Sequence, residues 1–254
     1  MKEFDRLVKI MRRVKTECPW DREQTHESIR QYFIEETFEV IDAIDEKDDE
    51  SLVEELGDVQ CQVLFHSLLA EERGKFTLAD VCNGIADKLV RRHPHVFENI
   101  KVKDSGEVLK NWEHIKMKEG KKNSILDGVP KDLPALIKAY RVQNKAGRVG
   151  FDWDNIADVV AKISEELGEF KDSLKTNDRD RIEDELGDLL FSIVNLARKI
   201  EISPEDALRR TIRKFTARFQ YIEKALKEKG VSIKDASLDE MDKLWEEAKG
   251  KLSY

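Results

Sequence analysis

Apolar residues recur along this chain at intervals of three and four, as in Leu52, Leu56, Val59 and Val63, or in Ile182, Leu186, Leu189 and Ile193. That spacing lines one face of an α-helix. The two rows superimpose at a single offset, Leu52 on Ile182 through Val63 on Ile193. The same offset carries Glu35, Glu36 and Glu39 onto Glu165, Glu166 and Glu169, Asp42 onto Asp172, and Glu55-Leu56-Gly57-Asp58 onto Glu185-Leu186-Gly187-Asp188. After a slip of four, Asp80, Lys88 and Arg92 match Asp206, Lys214 and Arg218 in a second constant register. The chain is an internal duplication.

Each copy reads as three principal helices, at about 26–46, 50–73 and 77–92 and then 155–175, 179–200 and 204–229. The slip falls in a connection that contains Gly74 in the first copy and Ser203-Pro204-Glu205-Asp206 in the second. There Ser can cap, Pro fits the first turn, and the acids suit the positive end of the helix dipole. Ser237-x-x-Glu240 has the form of a capping box opening a last helix through Trp245. The predicted fold is all-α: two tandem carboxylate-rich helical units at 1–98 and 135–254. Residues 99–134, with three glycines, two prolines and a Lys-rich stretch, form the expected linker, with a short helix around Trp112.

Composition agrees with this picture and narrows the partners. Charged residues make up 39% of the 254 positions, and only 12 glycines and 5 prolines interrupt the chain, as in helical proteins. A formal net charge of −8 argues against a stable nucleic-acid partner, because phosphate backbones are held by clustered Lys and Arg. A nucleotide could still bind through a metal or a local basic cluster. Cys18, Cys61 and Cys82 form no CxxC pair and fit reduced thiols. With no apolar leader and no run long enough to span a bilayer, a cytoplasmic location without membrane contact is expected.

The chemistry gathers on two helices per copy. Glu36 and Glu39, or Glu166 and Glu169, lie three apart and share a helix face. Glu55 with Asp58, and Glu185 with Asp188, do the same on the next helix. Four hard oxygen donors converging from adjacent helices suit Mg²⁺ or Mn²⁺ and leave room for phosphate oxygens and water. With 53 acids in the chain, one EExxE would be expected by chance, and acidic rows are commonly just solvated faces. Its recurrence with ELGD at fixed spacing, while neighbours such as Val53 and Glu183 diverge, argues for retained function.

EExxE followed by ExxD in tandem resembles the MazG nucleoside triphosphate pyrophosphohydrolases, members of the all-α NTP pyrophosphatase superfamily. The resemblance spans essentially the whole chain. It includes Cys18-Pro19-Trp20-Asp21-Arg22-Glu23-Gln24-Thr25, Arg91-Arg92-His93-Pro94-His95-Val96-Phe97 and Gly150-Phe151-Asp152-Trp153. It implies Mg²⁺-dependent hydrolysis of an NTP to NMP and pyrophosphate, by water attack at the α-phosphorus, in a homodimer. Glu166, Glu169, Glu185 and Asp188 then match metal-binding acids, with Glu36, Glu39, Glu55 and Asp58 as the first copy's set. Glu165 and Glu166 are equal candidates for the base. Lys162, Lys214 and Arg218 match residues that contact the triphosphate, Lys88 and Arg92 being the first copy's counterparts, and Lys116 and Trp245 match positions linked with activity.

The second copy is the expected main site, because Lys162 has Tyr32 at its matching position in the first copy and only the second copy is followed by Trp245. Two other classes compete with this reading. A metal-storing or metal-oxidising carboxylate protein would need paired ExxH elements inside a bundle, and Glu23-Gln24-Thr25-His26 stands before the acidic helix. A non-enzymatic dimeric scaffold would use the acids only for solubility. Trp20 and Trp153 are expected to pack at the start of the acidic helix in each copy, and His93 and His95 to cap or pack at a helix end.

Overall fold

The computed structural model describes residues 2–98, 100–108, 111, 112, 115 and 124–252. All regular structure among these residues is helical, as the apolar spacing requires. The chain divides into two compact units, Met1–Gly120 and Lys121–Tyr254. In the first unit, helices α1 (Lys2–Glu17), α2 (Pro19–Glu23), α3 (His26–Glu46), α4 (Asp49–Glu72), α5 (Leu78–Arg92) and α6 (Pro94–Phe97) follow in order. The second contains α7 (Ala135–Gly147), α8 (Ile156–Ser173), α9 (Arg179–Lys199), α10 (Pro204–Glu228) and α11 (Leu238–Lys251).

The helices start where the repeat says they should. His26 and Ile156 open α3 and α8, Asp49 and Arg179 open α4 and α9, and Leu78 and Pro204 open α5 and α10. The preceding residue caps each one. Thr25 and Asn155, Asp48 and Asp178, and Thr77 and Ser203 accept from the backbone N–H three positions on, satisfying a donor the helix cannot. Between the paired helices, Lys47 and Asn177 adopt the same left-handed conformation, φ 58° and 54°. Each acidic helix therefore folds back onto the next at the same point.

The duplication reaches further than the acidic helices. Lys15 on α1 and Lys145 on α7 are both buried, and they correspond at the same offset as the acidic motifs. Lys15 Nζ donates to the Arg22 carbonyl at 3.1 Å and meets Glu72 at 3.3 Å. Lys145 Nζ donates to the carbonyls of Ile125 and Asp127 at 3.1 and 3.0 Å. In each unit a lysine of the leading helix ties down a neighbouring backbone segment. That supplies the partners a buried ammonium needs.

In the first unit, Met11 of α1, Ile29 of α3 and Leu64, Phe65, Leu68 and Leu69 of α4 form the core. Each such side chain contributes roughly 1.5–3 kcal/mol on burial. In the second, Ile222 and Leu226 of α10 pack on Leu244 of α11. Val159 of α8 and Val194 of α9 are 1% exposed. No described helix is long and apolar enough to cross a membrane.

Candidate metal and nucleotide site

In the second unit, α8 carries Lys162, Glu165, Glu166 and Glu169, and α9 carries Glu185 and Asp188. One carboxylate oxygen from each of Glu166, Glu185 and Asp188 lies within 4.8 Å of the others. Glu166 is buried, Glu185 half-buried and Asp188 exposed, so the cluster opens to solvent on one side. Glu169 stands at its edge: burial, reinforced by the charges of Glu166 and Glu185, pushes its carboxyl above the usual range. Arg181 approaches Glu185 at 3.9 Å.

Lys162 lies one helical turn before Glu166 and bonds to two acids, Glu165 at 2.8 Å and Glu166 at 2.7 Å. These bonds raise its ammonium above the ordinary lysine value. The sequence suggests a residue aimed at phosphate. The structure puts the same ammonium against the acidic cluster.

The first unit assembles a different trio from the same four positions, with Glu36, Glu39 and Glu55 within 4.8 Å. Burial and the charge of Asp58 raise the carboxyl of Glu36, and Gln62 donates to that carboxylate at 3.4 Å. The Glu55 carboxyl is raised by burial and then by Glu39 and Asp58. The fourth acid is thus electrostatically part of each set, although three converge most closely. Clusters of mutually repelling hard oxygen donors, partly open to solvent, fit a divalent cation of the Mg²⁺ class.

At the position matching Lys162, Tyr32 packs against the core, its ring 6.4 Å from that of Trp20. The basic pairs lie on α5 and α10, with Lys88 exposed and Lys214, Arg92 and Arg218 half-buried. Arg218 Cζ lies 5.4 Å from the centre of the Trp245 ring, which Phe215 also approaches at 5.3 Å. Trp245 borders the core of its unit. Lys116 falls outside the described residues.

Some features carry no signal in the sequence. Arg92 Cζ lies 5.5 Å from the ring centre of Trp112, so a guanidinium–indole contact does not distinguish the second copy from the first. Trp20 and Trp153 are 55% and 41% exposed, although Trp20 does set its ring edge-on against Tyr32 near the start of the acidic helix. His93 caps α5, with its Nδ1 2.7 Å from the Leu89 carbonyl. Asp152, beside Trp153, pairs with Arg198 and with Lys199 at 3.0 Å. His26 and His66 stack with their Nδ1 atoms 2.8 Å apart. The matching residues of the second copy are Ile156 and Leu196.

A family model described as the MazG nucleotide pyrophosphohydrolase domain matches this chain twice, at residues 24–97 and 155–223. A Thermotoga maritima protein named nucleoside triphosphate pyrophosphohydrolase/pyrophosphatase MazG is 47% identical over 251 residues, 97% of this chain and 96% of its own length. The Escherichia coli K12 nucleoside triphosphate pyrophosphohydrolase is 41% identical over 98% of both chains. An uncharacterised Bacillus subtilis protein, YabN, is 50% identical over 97% of this chain, which spans 52% of that longer relative.

Proposed function

This chain belongs to the MazG family of nucleotide pyrophosphohydrolases, and from that premise we propose that it hydrolyses nucleoside triphosphates to NMP and pyrophosphate, chiefly in its second copy. One observation carries the choice of copy: Lys162 stands against Glu166 in a cluster that Glu185 and Asp188 complete, whereas the first copy has a half-buried Tyr32 packed against its core there.

Glu166, Glu185 and Asp188, with Glu169 beside them, hold a divalent cation, Mg²⁺ or Mn²⁺. Bound there, it supplies charge neutralisation at phosphate and acidification of bound water. Glu166 belongs to the trio that would hold the cation, and Glu165, exposed beside it and held by Lys162, is the carboxylate that takes the proton from the attacking water. Lys162 orients the triphosphate and offsets charge that builds on its oxygens, while Lys214 and Arg218 hold its far end. Displacement at phosphorus needs positioned cations more than covalent help. Trp245 offers an aromatic face to the base. Glu36, Glu39, Glu55 and Asp58 form the first copy's metal set, with Lys88 and Arg92 as its basic pair.

The proposal includes two helical domains, 1–98 and 135–254, joined by 99–134, in a cytoplasmic homodimer. Supporting the dimer, α8 to α10 leave Val160, Leu190, Phe191, Ile193, Ile212 and Phe215 exposed, apolar side chains of the kind a partner surface would cover. Incubating the protein with each NTP and Mg²⁺ and identifying the products tests the chemistry. NMP plus pyrophosphate is expected; NDP plus phosphate would exclude attack at the α-phosphorus.

A further inference from the structure

Each unit lays a guanidinium against an indole. Arg218 does so with Trp245 at 5.4 Å and Arg92 with Trp112 at 5.5 Å. The two arginines are one position of the repeat, each one helical turn after a lysine, Lys88 or Lys214. The two tryptophans are not. In the register of the arginines, Trp245 matches Glu119 and Trp112 matches Leu238. Trp245 thus follows its arginine at a longer interval than Trp112 follows Arg92.

Packing inherited through duplication recurs at inherited positions, as the buried Lys15 and Lys145 do. A contact rebuilt from a different segment in each copy points to a requirement at the face of the arginine itself. An indole face takes any base by stacking, and a guanidinium lying over it keeps its N–H donors in plane for phosphate oxygens. The same unit holds Glu36, Glu39 and Glu55 within 4.8 Å, donors for the divalent cation that accompanies a triphosphate. Arg92 and Trp112 are both half-buried, anchored without being sealed from solvent.

We infer that Trp112, set against Arg92, is the nucleobase platform of a second nucleoside triphosphate site in the first unit. Each chain then binds two nucleotides, one per unit, while turnover centres on the copy that has Lys162. The inference rests on the proposed function, since it assumes that the repeat handles nucleotides at all.

The test is calorimetric titration of the full-length protein with α,β-methylene ATP and α,β-methylene GTP in Mg²⁺. Two equivalents per chain are expected for at least one analogue. Trp112→Ala should weaken one of them roughly tenfold or more, the usual cost of losing a base–aromatic stack, and Trp112→Phe should restore most of it. Trp245→Ala should weaken the other. In a Trp245→Ala background, Glu39→Gln should lower the affinity of the Trp112 site without altering the melting temperature by more than a few degrees. This keeps the test open should Trp112→Ala fold poorly. One equivalent per chain, or two equivalents indifferent to Trp112, overturns the inference and leaves the proposed function standing. No binding of either analogue to the wild-type protein overturns both.

Discussion

Replacing Asp152 by Asn should destabilise the second unit by an amount that depends on pH in a defined way. Asp152 accepts from both terminal nitrogens of Arg198, one at 3.0 Å, and pairs with Lys199 at 3.0 Å. The hydrogen bond from Arg198, opposed by burial and helped by Lys199, holds the carboxyl at about 2 rather than its ordinary 3.8. That depression corresponds to about 2 kcal/mol at neutral pH. The side chain is 22% exposed, and solvent screening brings the expected loss to about 1–2 kcal/mol. Arg198 would keep its bonds to Asn195 Oδ1 at 3.0 and 2.8 Å, which limits the damage to its now unpaired charge. For a unit of this size the melting temperature should fall by roughly 3–8 °C.

The sign follows from a carboxyl that is more acidic in the folded state. Its stabilisation is complete above the unfolded value near 3.8 and disappears as pH falls through about 2. Urea or thermal unfolding of wild type and Asp152→Asn from pH 7 to pH 2.5 should therefore show a constant gap down to about pH 5, closing below pH 4. A gap that persists unchanged at pH 2.5, or none at pH 7, would refute the reasoning.

Glu185→Gln should remove most NTP turnover and reduce, to the share contributed by the first unit's own acidic cluster, the rise in melting temperature on adding Mg²⁺, while the metal-free protein stays at least as stable as wild type because one of three crowded charges is gone; a product assay reads the first and differential scanning fluorimetry the second. Glu169→Gln or Asp188→Asn should likewise stop product formation with the helical signal in circular dichroism intact, and undiminished turnover in both would move the site to the first copy. His66 is held below the ordinary histidine value by burial and by the neighbouring His26, so the wild-type first unit should lose stability as pH falls from about 6.5. The double variant His26→Ile, His66→Leu, which copies Ile156 and Leu196, should lose less over that range, and equal pH slopes would exclude the pair as the cause. Glu201 occupies a left-handed conformation, φ 58°, where the first copy has Gly74 at φ 62°. Glu201→Gly should therefore raise stability by about 0.5–1 kcal/mol, measured by chemical unfolding.

The helices were legible because their signals are local. Apolar spacing marks their bodies, and Thr25, Asp48, Thr77, Ser203 and Ser237 mark their starts. The repeat made each mark count twice. The leading helices α1 and α7 escaped the repeat because they carry no acidic motif, although Lys15 and Lys145 keep the offset that relates Glu36 to Glu166. In the site, the sequence yields which acids share a helix face. Which three draw closest depends on how the paired helices are rotated and on rotamers, and the result differs between copies: Glu39 in one trio, Asp188 in the other. The Arg92–Trp112 contact was hidden for another reason, since its tryptophan obeys no repeat offset.

The shared turn geometry has a practical consequence. From first residue to first residue, His26 to Asp49 and Ile156 to Arg179 span the same length of chain, with Lys47 and Asn177 bending it in the same place. Each acidic hairpin is thus a cassette matched from its first residue through its turn, and exchanging residues 26–72 with 156–199, each ending with its second helix, would transplant the carboxylates and Lys162 without resetting either turn. Such chimeras would separate what a copy owes to its hairpin from what it owes to the helices around it.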